Sequence, residues 1–237
     1  MGDSVRGARR PRAAIFGGET PTAVLDLALA VAVALGLPFL ALGLLRLTGG
    51  ALASLVVYYG LCGALLYRWR LGALDYERPA RWPWGLFAGG VLLAGAITWR
   101  NWGALPDYAA PPWAVMLTAV VWGGFNAALE QYSWLYVLVA WRNRWPDGRR
   151  RRLGLAVGWL LFLTLVSVVH VVFWAEVLPV ASPGPLSWLT VPLNTLLALS
   201  YVGMYFRARS FWPTFAVHFL VDLQLVLLAR YSILGAL

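Results

Sequence analysis

Four side chains able to move protons sit inside otherwise apolar stretches of the chain: Glu130, His170, His218 and Asp222. A charged group at the centre of a membrane helix costs at least ~2.5 kcal/mol on insertion scales, so each of these residues needs a reason to be there. His218 and Asp222 are spaced i, i+4, which puts them on one helix face where they can hydrogen-bond each other or share a partner. A carboxylate beside an imidazole fixes its tautomer, which suits a polarising donor better than a free base. Glu130 belongs to a polar stripe, Gly123, Asn126, Glu130 and Ser133, along one face of its segment. His170 has Ser167 behind it and Phe173 and Trp174 one turn ahead, and Thr190 with Asn194 makes a weaker stripe that can line the same cavity. Structural roles fit these residues too. Asn126 can hydrogen-bond a neutral Glu130, and His218 with Asp222 can clasp two helices. Two imidazoles and two carboxylates can also bind zinc, although no HExxH motif places metal ligands on one helix.

The elements that must position these residues follow from composition. Of 237 residues, 61% are apolar and 12% charged, against roughly half and a quarter in soluble domains. The excess must face lipid. Apolar runs cover 23–47, 51–68, 85–99, 113–141, 153–178, 187–206 and 212–229, and about 20 such residues span the ~30 Å hydrocarbon core. The expectation is an all-α, polytopic transmembrane helical bundle of seven to eight helices, the eighth a half-span or re-entrant piece. Residues 1–237 form one integral membrane domain, without internal repeat or soluble linker. Thr48-Gly49-Gly50 makes the first two helices a tight antiparallel pair. Trp69, Trp82, Trp84, Trp99, Trp102, Trp113, Trp141, Trp188 and Trp212 fall near run ends as interfacial anchors.

All 19 basic residues are arginine and the net charge is +9. They lie between the runs, which points to membrane topology and away from a nucleic-acid partner. Arg6, Arg9, Arg10 and Arg12 make residues 1–22 a cytoplasmic basic leader, retained rather than cleaved. The clusters in 68–84, at 142–152 and at Arg207 and Arg209 fall on the same side, with 100–112 and 179–185 outside. Arg230 is the one exception to this pattern. Cys62 is the sole cysteine, so an intrachain disulfide is excluded.

Helix arithmetic exposes a tension. Glu130 lies about 18 Å and His170 about 27 Å along their helices from the basic loop at 1.5 Å per residue. The two meet if the fifth helix starts before the membrane, within Arg149 to Arg152, and this is expected over a tilt or a break.

The stretch from Arg207 to Asp222, RARSFWPTFAVHFLVD, resembles the arginine-rich turn, Ser-Leu/Phe-Trp-Pro step and HxxxN/D motif of the CPBP family of intramembrane glutamic proteases. That family includes the CAAX prenyl endopeptidases and bacterial Abi-type membrane proteins. His170 matches the histidine of its FxxxH motif, with Val166 in place of phenylalanine. Glu130 matches the first acid of EExxxR, while Gln131 replaces the second and Leu135 the arginine. The resemblance covers residues 113–229, the segment that would carry the catalytic motifs. It implies an endopeptidase in which Glu130 is general base and activates water with His170. His218 would donate to the oxyanion and Asp222 would orient His218, with Asn126, Gln131 and Asn194 in support. No cofactor is implied. The substrate would be a peptide or membrane-associated protein whose carboxyl-terminal part enters the bilayer from the cytoplasm, and the location would be the cell membrane. The competing expectations are a non-catalytic scaffold or immunity-type relative and a metal-dependent intramembrane hydrolase. A transporter is the weakest of the readings.

Overall fold

The computed structural model describes residues 22–72, 74–178 and 189–237, which are helical with short connections and contain no strand. Seven long helices occur among them: α1 Val24–Thr48, α2 Leu52–Leu71, α3 Trp84–Asn101, α4 Pro112–Arg142, α5 Gly148–Val177, α6 Thr190–Ala208 and α7 Trp212–Ala229. They match the seven apolar runs closely. Beyond α7 the chain makes only a short 3₁₀ turn, Ile233–Ala236, so no eighth span follows among the described residues. Residues 1–21 of the leader, the 179–185 turn, Trp188 and the Thr190 side chain lie outside the described residues.

Five helices, α1, α2, α4, α5 and α7, are long and apolar enough to cross a membrane. In the most apolar stretch of each, 28 to 44% of residues are buried within the protein, so more than half of each stretch is at least partly exposed. Leu35, Phe39, Phe125, Leu160 and Val171 are exposed examples. In water such a surface would be a large liability. The other two long helices are less apolar: α3 ends in Arg100 and Asn101, and α6 carries Asn194, Ser200 and Arg207. Of the expected tryptophan anchors, Trp69, Trp84, Trp99, Trp102, Trp113 and Trp212 are exposed. Trp82 and Trp141 are partly covered, with their indole nitrogens buried.

The centre of the bundle is α4, packed by α1, α2, α5 and α7, while α3 packs on α6 and α7. Every residue from Glu130 to Ala140 is buried. The closest approach is to α5, where Gly154 and Gly158 repeat a small-xxx-small spacing. A β-carbon at Gly154 would lie 2.6 Å from the Trp141 carbonyl oxygen, and one at Gly158 2.9 Å from that of Leu138. Only glycine allows the two backbones this contact. At the α1–α2 turn, Gly49 adopts φ 72° and a β-carbon on Gly50 would meet Leu237 O at 2.6 Å.

The 72–83 connection is more than a loose basic loop. The Asp75 carboxylate accepts from Tyr67 at 2.8 Å and Tyr205 at 2.6 Å, and its carbonyl accepts from Phe211 N at 2.9 Å. Tyr132 donates to Leu74 O at 2.8 Å and Tyr76 to Ala128 O at 2.8 Å. These bonds stitch α2, α4 and α6 at one end of the bundle. At the same end the Asp26 carboxylate accepts Arg70 Nε and Nη2 at 2.6 and 2.9 Å and Tyr136 OH at 3.0 Å.

The distribution of arginines corrects the expectation that Arg230 is the one exception. Arg46, Arg100 and Arg230 all sit at the end opposite the Asp75 loop. Arg46 pairs with Glu176 at 3.3 Å. Arg100 donates to Asn101 Oδ1 at 2.7 Å. Arg230 is chelated by Asp107, with Nε to Oδ1 at 2.8 Å and a second contact from Nη2 to Oδ2. The acceptors of Arg46 and Arg230 lie far away in the sequence, and that of Arg100 is its neighbour.

Candidate functional site

Glu130 is 1% exposed in the middle of α4, and its two carboxyl oxygens have different surroundings. Oε1 accepts from Tyr58 OH at 2.9 Å and from Trp174 Nε1 at 2.6 Å. Oε2 faces His218 Nε2 at 3.5 Å. One oxygen is therefore anchored by two neutral donors while the other is turned to an imidazole. Tyr58 is anchored in turn, accepting from Trp134 Nε1 at 3.3 Å.

On α7 the i, i+4 spacing does bring His218 and Asp222 to one face, but Asp222 is not the nearest group to the imidazole. Its Oδ2 lies 3.7 Å from His218 Nε2 and accepts Asn126 Nδ2 at 2.9 Å. Asn126 Nδ2 also lies 3.4 Å from His218 Nε2, and Tyr59 OH donates to Asn126 Oδ1. The expected His218–Asp222 unit is thus a four-membered cluster, Glu130, Asn126, His218 and Asp222, centred on His218 Nε2. The ring is held by stacking, with Tyr201 at 5.2 Å and 29° and Trp134 at 5.9 Å and 27° between ring centroids and planes.

His170 is spatially part of the same site. Its ring lies 6.1 Å from the Trp134 indole, which also stacks on His218. Nδ1 donates to Val166 O at 2.6 Å, which in the neutral ring leaves the lone pair on Nε2. The start of the helix differs slightly from the expected Arg149 to Arg152. Helix α5 begins at Gly148, ahead of the four arginines, and His170 and Glu130 line one cavity.

A cavity of about 320 Å³ opens among α3 to α7, lined by Asn126, Glu130, Trp134, His170, His218 and Asp222 among others. Ser167 and Asn194 also border it. Two expected members do not join. Gln131 turns to the far side of α4, its Nε2 on Ala127 O at 2.7 Å. Ser133 bonds back to Glu130 O at 3.0 Å. The 100° step between successive helical residues gives Gln131 a different face from Glu130. Gln131 and Leu135, one turn apart, border a separate small void with Phe162, Tyr205 and Phe211. An arginine at position 135 would therefore enter that void and not the cavity.

The site also reaches beyond 113–229. Tyr58 and Tyr59 come from α2, and Arg100 and Asn101 from α3. All three π-helical stretches among the described residues border the site. Val56–Leu65 carries the two tyrosines, Thr118–Trp122 supplies Trp122, and His170–Trp174 supplies both its end residues. A π turn inserts an extra residue and re-aims its side chains, and such bulges collect at functional sites. Two adjacent hydroxyls in the middle of an apolar run were the one sequence signal for α2. Among the described residues, no three histidine, cysteine or acidic side chains are grouped to hold a metal ion. No family model, curated protein or solved structure matches the chain.

Proposed function

We propose that this protein is a multi-pass membrane hydrolase that cleaves a peptide bond with water activated at Glu130. One observation carries the reading: a fully buried carboxyl, one oxygen held by two donors and the other directed at an imidazole, on the wall of a cavity that contains a second imidazole. A buried charge without function is costly, and pre-set donors around a proton-transfer group are what catalysis needs. The resemblance of the α6–α7 segment to the CPBP proteases supports the same reaction class.

In this mechanism a water beside Glu130 gives its proton to Oε2 as its oxygen bonds to the substrate carbonyl carbon. The carbonyl π electrons move to oxygen, and the oxyanion is met by N–H donors from His218 and Asn126. His170, with its lone pair on Nε2, helps to orient the water. Collapse restores the carbonyl, breaks the C–N bond, and returns the proton from Glu130 to the leaving nitrogen. Asp222 orients the Asn126 amide and, at longer range, His218. The loss of the second motif acid and the arginine does not alter this scheme, because Gln131 and Leu135 face the other void together. Removing both charges avoids an unpaired buried ion there.

Glu130→Gln tests the reaction. The amide is isosteric with the carboxyl and keeps an acceptor for Tyr58 and Trp174, so the variant is expected to fold. Reconstituted protein is incubated with a mixture of membrane-derived peptides in H₂¹⁸O, and new carboxyl termini are read by mass spectrometry. Labelled termini made by the wild type and lost at least 100-fold in Glu130→Gln are expected. Equal activity in both refutes the role of Glu130. No labelled terminus from either points to the non-catalytic reading, and loss of activity on chelation to the metal-dependent one.

We also propose that all seven helices cross the membrane, with the Asp75 loop and the arginines at 142–152 on the cytoplasmic side. The two less apolar helices, α3 and α6, place Arg100, Asn101 and Asn194 on the cavity and so would keep them from lipid. In a Cys62→Ser background, an impermeant maleimide applied to intact cells should label Asp107→Cys and leave Arg150→Cys unlabelled. The opposite pattern reverses the orientation.

A further inference from the structure

Arginines gather at the end of the bundle that carries the Asp75 loop, and Arg142 is placed unlike the rest. The stretch 142–152 holds six arginines against one acid, Asp147. Among the described residues the other covered arginines, Arg70, Arg100 and Arg144, each donate to an oxygen. Arg142, the last residue of α4, is half-buried, and its Nη1 is fully buried with no hydrogen-bond partner among the described residues. The contact it does make is with a ring, its Cζ lying 4.3 Å from the Phe206 centroid on α6. A ring takes the face of the planar guanidinium and leaves the N–H donors, which lie in its plane, for an acceptor.

Two further guanidiniums converge on it from other elements. The start of α5 lies against the end of α4, where a β-carbon on Gly154 would meet Trp141 O at 2.6 Å. Arg151, three residues before Gly154, is on the same helix face. Arg209 follows Phe206 by three residues and ends α6 in the left-handed conformation, φ 54°. The charges of Arg151 and Arg209 both act on Arg142, and no described acid forms an ion pair with it. Cations held together at the edge of a low-dielectric region repel one another more than they would in open water. A phosphate between them reverses the sign, because each guanidinium then donates to an anion. The level fits as well. Trp141 and Trp145, with ring centres 6.4 Å apart, lie beside Arg142 in the chain, and tryptophan concentrates at the depth of lipid headgroups.

We infer that Arg142, with Arg151 and Arg209, forms a binding site for a phosphate group where the ends of α4 and α6 meet the start of α5. Either a phospholipid headgroup or free phosphate supplies the group. A basic pocket between helix ends is the arrangement that holds anionic headgroups in membrane proteins. None of the three arginines borders the cavity, so the site stands apart from the hydrolase reading.

Thermal melting of the full chain in a neutral detergent reads the site, because a ligand bound by the folded state raises the melting point. The probes are phosphatidylglycerol, phosphatidylcholine with the same chains, and inorganic phosphate compared with chloride at equal ionic strength. Phosphatidylglycerol should reach its half-maximal shift at about a tenfold lower concentration than phosphatidylcholine, whose phosphate has its own compensating cation. A larger shift from inorganic phosphate than from chloride identifies free phosphate as a ligand, and a preference confined to phosphatidylglycerol identifies the lipid. Arg142→Gln should remove most of the preference. Arg151→Gln should reduce it too, and its exposed position keeps the test valid if Arg142→Gln folds poorly. Arg150→Gln removes the same charge from the same stretch and should leave the preference unchanged. Equal losses in Arg150→Gln and Arg142→Gln would mean a diffuse basic surface and overturn the inference. So would an undiminished preference in both Arg142→Gln and Arg151→Gln, or equal shifts from the two lipids with none from phosphate beyond chloride.

Discussion

Removing the Tyr58 hydroxyl tests whether Glu130 is held as described. Tyr58→Phe deletes one of two donors to Oε1 and leaves Trp134 Nε1 without its acceptor. A hydrogen bond to a charged group contributes about 1.5–3 kcal/mol in soluble proteins, and a buried donor left unpaired costs about 1–3 kcal/mol. Interhelical bonds in membranes average nearer about 0.6 kcal/mol, because the unfolded chain finds other partners there. The buried location of Glu130 favours the upper part of the combined range, so Tyr58→Phe should lose about 1–3 kcal/mol. Trp174→Phe, which removes the other donor and some ring packing, should lose a similar amount. The informative quantity is the coupling. With two donors on one oxygen, loss of either is partly offset by the other, so the double variant should lose about 0.5–1 kcal/mol more than the sum. Unfolding against SDS mole fraction in mixed micelles measures all four proteins. Additivity within about 0.3 kcal/mol would mean that the two residues do not share Glu130.

Three other outcomes follow from the geometry. Leu135→Arg should not raise activity and should destabilise by about 3 kcal/mol or more, since it buries a cation beside Phe162 and Phe211; adding Gln131→Glu should restore part of the loss, read by the same SDS titration. Gly154→Val should separate α5 from α4 and unfold far more easily than Gly36→Val, whose position is open, and thermal melts in detergent would show the difference. The third concerns pH. The Arg230 guanidinium and the Ala109 amide hold the Asp107 carboxyl below its usual range. Because its folded value is lowered, its stabilising contribution is complete above the ordinary carboxylate value of about 3.9. It fades as pH falls through the lowered one. Melting of the wild type relative to Asp107→Asn should therefore be constant above pH ~5 and converge only in stronger acid.

Which parts of the molecule are helical was written into the chain. Apolar runs of sufficient length, broken by Thr48-Gly49-Gly50, by Pro111 and Pro112 and by arginine clusters, can bury their backbone polar groups in lipid only as helices. The observed boundaries of α1, α4 and α7 differ from those runs by at most one residue at either end. The i, i+4 spacing of His218 and Asp222 and the isolated Glu130 were likewise legible, because periodicity and the cost of burying charge are local properties.

Tertiary structure decided the partnerships. That Oε1 of Glu130 takes its donors from Tyr58 and Trp174, on helices far apart in sequence, depends on how α2 and α5 pack against α4. Two π-helical stretches, Val56–Leu65 and His170–Trp174, carry those side chains, and no residue pattern in the sequence marked either stretch as π-helical. The same holds for Gln131, adjacent to Glu130 but facing another void, and for Arg46 and Arg230, whose acids lie 130 and 123 residues away. A sequence fixes which groups must avoid lipid, since that cost belongs to each residue alone; which groups they meet belongs to the packing of the whole bundle.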